Sequence, residues 1–100
     1  MKNSIESVDK PKHRTNDCTR IAIEKCMVSY AEGEKAGCEY DRQSGEPYMP
    51  LQLLAKLYGC TLVYAKFITK HGVHSIIAVE KLCGIFGIKV SEFMALGEEG

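Results

Sequence analysis

A chain of 100 residues with 45% apolar and 26% charged side chains has an ordinary globular balance and is expected to form one small domain that closes a single core with little to spare. Thirteen basic side chains offset thirteen acidic ones, so attraction to a polyanion has to come from where the charges lie and not from their sum. No apolar run approaches membrane-spanning length and the opening MKNSIESVDK lacks the apolar block of a secretory leader, so a cytoplasmic protein with no membrane partner is expected.

Residues 1–14 hold few apolar side chains and a basic cluster, Lys10, Lys12, His13 and Arg14. They read as a disordered tail, either an idle leader or a basic arm, ahead of a single domain over 15–100. Ile23, Cys26, Met27, Tyr30 and Ala31 then keep the spacing i, i+3, i+4, i+7, i+8, the stripe of a helix over 17–32 with Asn16 or Asp17 as its cap and Gly33 at its end. A long loop over 33–49 follows, broken by Gly37, Gly45 and Pro47; loops of that length are uncommon in small domains and tend to be functional or disordered. Cys38, Tyr40, Tyr48 and Met49 suggest that part of it packs, as a small hairpin turning at Arg42 to Gly45.

Pro50 presets a helix start, and Leu51, Leu54, Ala55 and Tyr58 give the helix over 50–58 its apolar side before Gly59 ends it. Thr61 is a natural N-cap for the next helix, over 61–71, which His71-Gly72 closes. From Ser75 the spacing of Ile76, Val79, Leu82, Cys83 and Phe86 predicts a helix over 75–86 with all five on one buried face. Gly87 stops it, and Ile88 is placed to touch Cys83 back across the cap. Val90, Phe93, Met94 and Leu96 predict a last short helix over 90–96. The expected fold is therefore all-α, a small bundle of about five helices with a long loop after the first.

Five cysteines at irregular spacing make a poor disulfide framework, and no pair stands two to four residues apart as a zinc site requires. Cys26, Cys60 and Cys83 read as reduced core thiols. His71 and His74 lie three apart without a carboxylate or thiol at ligand or triad spacing, so no catalytic residue, metal or cofactor is expected and an enzyme is disfavoured. Tyr30, Tyr58 and Tyr64, at helical spacings, read as partly buried core residues with a wet hydroxyl.

The run Ser75, Ile76, Val79, Leu82, Cys83, Phe86, Gly87, Ile88, Val90, Glu92, Phe93 resembles the C-terminal helices of the lambda-repressor-like (Xre/Cro-type) helix-turn-helix domains. Upstream, Leu54, Ala55, Gly59, Cys60 and Thr61 are similar to that family's Leu-Ala-x-x-x-Gly-Val-Ser, so the resemblance covers residues 50–97. It implies that Thr61 to Lys70 is a recognition helix for the major groove of double-stranded DNA, and that the helix before it crosses the backbone. Ala65 and Ile68 would point inward, and the DNA contacts would come from Lys56, Thr61, Leu62, Val63, Lys66, Lys70 and His71. The protein would be a small transcriptional repressor, working as a homodimer. Between Leu51 and Lys89 five lysines stand against Glu80 alone, a local excess of four positive charges that suits such a partner.

The chain departs from the family in its long loop and in the apolar character of Leu62 and Val63, where base-reading helices carry forked polar side chains. An alternative partner is therefore a protein, bound through Leu62, Val63, Tyr64 and Phe67 by an inhibitor or adaptor of the kind that phages and mobile elements carry.

Overall fold

Caps and glycines cut the apolar periodicity into helices close to the expected boundaries. The computed structural model describes residues 15–98, in which α1 spans Asp17–Glu32, β1 Glu39–Tyr40, β2 Pro47–Tyr48, α2 Leu51–Tyr58, α3 Leu62–His71, α4 Ile76–Phe86 and α5 Val90–Glu98. The basic cluster at Lys10 to Arg14 lies outside the described residues. Among the described residues the protein is a small all-α bundle of five helices, with one two-stranded hairpin set into the long loop.

Side chains at the helix starts satisfy backbone donors that would otherwise be orphaned. Asn16, Thr61 and Ser75 accept from the N–H groups of Thr19, Tyr64 and Ala78, respectively. Pro50 sits one residue earlier than expected; it is extended, and its carbonyl accepts from Leu53 and Leu54 at 3.0 and 3.2 Å. At the other end of α4, Gly87 takes the left-handed conformation, φ 69°, and the N–H groups of Gly87 and Ile88 both reach the Cys83 carbonyl, at 2.8 and 3.1 Å.

The hairpin is built by its turn. Asp41 accepts from the backbone N–H groups of Ser44 at 2.8 Å and Gln43 at 3.1 Å, bonds that hold its carboxyl below the ordinary range, the Ser44 bond foremost. The register then sets Glu39 opposite Tyr48 and Tyr40 opposite Pro47.

Each helix gives the core one large side chain that is fully excluded from solvent: Ile23, Leu54, Ile68, Leu82 and Phe93. Burying a side chain of this size contributes about 1.5–3 kcal/mol. Helix α5 lies along α1, and the approach is close enough that a Cβ on Gly97 would run into the Cys18 backbone. Lys25 Nζ donates to the Leu96 carbonyl at 3.1 Å, satisfying the C-terminal end of α5 from the neighbouring helix.

Two expectations fail in the packing. Ile76 is 60% exposed, because the buried face of α4 runs through Ala78, Val79, Leu82 and Cys83 instead. Cys60 is only half-buried, since it lies in the turn between α2 and α3, whereas Cys26 and Cys83 are buried; all five cysteines are free thiols.

Candidate functional site

The axes of α2 and α3 turn through 103° across the three residues Gly59, Cys60 and Thr61. The turn is made possible by Gly59, whose φ of 85° few other residues adopt, and by the Ala55 carbonyl, which accepts from both Gly59 and Cys60. Thr61 then opens α3 with its hydroxyl on the Tyr64 N–H at 3.1 Å. As a result the N-terminal ends of both helices line one open cleft of about 430 Å³, with Leu51 and Gln52 from α2, Pro50 at its cap, and Leu62 and Lys66 from α3.

Along α3 the burial follows the expected arc. Ala65 and Ile68 are fully buried, while Val63, 77% exposed, and Leu62, 37% exposed, share the outer side with Lys66 and Lys70. Lys56 is exposed on α2. Among the described residues the one ion pair joins Arg20 to Asp17 at 3.4 Å, so Lys56, Lys66 and Lys70 have no carboxylate at contact distance.

His71 stands elsewhere. Its ring lies 4.9 Å from that of Phe67, its Nδ1 is 3.1 Å from Thr15 Oγ1, and its carbonyl accepts from Asn16 at 2.7 Å. It thus ties the end of α3 to the start of α1. Phe67 in turn stacks on Tyr64 at 6.2 Å, and Tyr64 tilts against Tyr58 at 5.8 Å. Lys81 covers the Tyr58 ring at 4.4 Å. Burial, with Tyr64 beside it, pushes the Tyr58 hydroxyl up to about 12. Tyr64 and Phe67 therefore belong to a ring ladder on the flank of α3, of which Tyr64, 39% exposed, is the open member.

The structure adds residues to the site. Glu39, which had no part in the sequence reading, and Tyr48, expected only to pack in the hairpin, line the same cleft as Gln52, Leu62 and Lys66. The turn at Arg42 to Gly45 and the apolar residues around it signalled a hairpin; nothing local signalled which helices its strands meet. Ile76 and Ile77, 60% and 68% exposed, add an apolar step at the start of α4. Among the described residues no group of three or more His, Cys, Asp and Glu could hold a metal ion, and no single helix is long and apolar enough to cross a membrane.

No family model, curated protein or solved structure matches this chain.

Proposed function

We propose that the protein is a DNA-binding helix-turn-helix protein that acts as a transcriptional repressor in the cytoplasm, bound to duplex DNA as a homodimer. One observation carries this reading: α2 and α3 meet at 103° across a glycine turn of three residues and bring both of their N-terminal ends to one exposed cleft. Helix-turn-helix pairs join at about 90–120° through such turns. Helix N-termini carry unpaired N–H groups and partial positive charge, which favours phosphate. Helix α3 enters the groove with Leu62 and Val63, while Lys56, Lys66, Lys70 and Thr61 meet the backbone. Leu62 and Val63 can touch a thymine methyl, so sequence discrimination from α3 alone is weak. Purified protein in filter-binding titrations against random-sequence duplex, at low and at moderate salt, should bind at low salt and weaken steeply as salt rises. Absence of binding at micromolar concentration by folded protein would defeat the proposal.

A second reading, a module that docks on another protein, is favoured by the exposure of Leu62, Val63 and Tyr64 in the first turn of α3. Exposed apolar clusters mark protein interfaces. In that case Tyr64 and Phe67 are the anchors and the lysines set the association rate.

A further inference from the structure

The hairpin brings an uncompensated negative charge to the face on which α2 and α3 present their N-terminal ends. Glu39 is exposed at the start of β1, and its register partner Tyr48 donates its hydroxyl to Glu39 Oε1 at 3.0 Å. This bond holds the carboxylate over the cleft that Glu39 and Tyr48 share with Gln52, Leu62 and Lys66. The Tyr48 hydroxyl is shifted upward by that same bond and by the charge on Glu39. Among the described residues Glu39 makes no ion pair, so its charge is not cancelled by Lys66 at contact distance.

A duplex that meets this face lays its phosphates against the helix N-termini, and each phosphate near the hairpin is repelled by the carboxylate. Such repulsion acts on every sequence alike. It is offset only where a base edge offers a donor to the carboxylate, as the amino group of cytosine does in the major groove. We propose that Glu39, positioned by Tyr48, is a specificity-determining residue of this face, which lowers sequence-independent duplex affinity and favours sites with a cytosine amino group under the hairpin. The inference rests on the DNA-binding reading.

Its test compares wild type, Glu39→Gln and Glu98→Gln by filter binding to one random-sequence duplex at low and moderate salt. The amide in Glu39→Gln keeps an oxygen for the Tyr48 hydroxyl and loses only the charge. Glu98 lies on α5, which packs on α1 and α4, so its replacement makes the same change in net charge away from the cleft. Melting curves establish that all three proteins are folded. Glu39→Gln is expected to bind random duplex about fivefold more tightly at low salt, as the loss of one nearby surface repulsion allows, with the gain shrinking as salt rises. Glu98→Gln is expected to match wild type. Equal or weaker binding by Glu39→Gln, with wild type binding, overturns the role of Glu39 and leaves the DNA reading standing. Equal gains in both variants overturn it too, because net charge alone then accounts for the change. If neither wild type nor Glu39→Gln binds duplex, the DNA reading falls and this inference falls with it.

Discussion

The Thr19 hydroxyl closes on both backbone groups of Val73, accepting its N–H at 2.9 Å and donating to its carbonyl at 3.0 Å. The pair is buried, and it fastens the segment between α3 and α4 to the first turn of α1. Gly72, beside it, has φ 77° and approaches the α1 backbone so closely that a Cβ there would meet the Asn16 carbonyl and the Thr19 hydroxyl. Thr19→Val, nearly isosteric, leaves a buried N–H and carbonyl without partners and is expected to cost about 1–3 kcal/mol. Thr19→Ser keeps the hydroxyl and should cost less. Urea unfolding of the two variants checks the order; equal stability of Thr19→Val and wild type would show that Val73 finds other partners.

Two glycines in helices should respond in opposite directions to the same change. Gly84, in α4, is exposed and has open space where a Cβ would stand, so Gly84→Ala should stabilise by about 1 kcal/mol through helix propensity. Gly97, in α5, faces the Cys18 backbone, and Gly97→Ala forces α5 away from α1. Thermal melts should rise for the first and fall for the second. A neutral Gly97→Ala would mean that α5 docks less closely on α1 than a bare glycine hydrogen requires.

Core and surface positions on α4 separate in the same way. Leu82→Ala removes a fully buried side chain and should cost about 2–5 kcal/mol, whereas Ile76→Ser, at an exposed position, should stay within about 0.5 kcal/mol of wild type. A large loss from Ile76→Ser, measured by denaturant titration, would restore Ile76 to the core or place it in an interface between copies.

Those two residues also mark what was legible in the sequence. The helices were legible because their signals are local: the stripe of Ile23, Cys26 and Ala31, the caps Thr61 and Ser75, and the stop at Gly87 act within a turn or two of chain. Ala65 and Ile68 could be placed inward only through the resemblance to helix-turn-helix domains, and both are buried. Ile76 kept the right spacing and still came out exposed, since the docking of distant elements decides which part of a stripe is covered. The hairpin turn could be read from Arg42 to Gly45, but the meeting of Glu39 with Lys66 in one cleft depends on how two distant segments dock. His71 shows the same limit: its charge type suits phosphate, yet its ring is engaged by Phe67 and Thr15.

Alkaline pH should weaken the fold through a buried thiol. Burial, with Cys83 nearby, raises Cys26 from 9.0 to about 11. A raised value means that the folded state holds the proton more tightly than the unfolded one. The stabilisation is therefore complete below about pH 9 and is lost as pH climbs from about 9 toward about 11. Melting temperature should fall across that window, and less steeply in Cys26→Ala. A thiol reagent at neutral pH should label Cys26 and Cys83 last, and rapid labelling of both would contradict their burial.

The most direct test of the DNA-binding claim is the salt dependence of duplex affinity in wild type, Lys66→Ala/Lys70→Ala and Tyr64→Ala, each checked for folding by melting. If the outer face of α3 meets the DNA backbone, the double lysine variant should bind every duplex more weakly and with a flatter slope of log affinity against log salt, by about one unit for each phosphate that is no longer neutralised. Tyr64→Ala, on the flank, should keep the wild-type slope. An unchanged slope in the lysine variant, with wild type binding duplex, would contradict the account and move the DNA-facing surface away from α3.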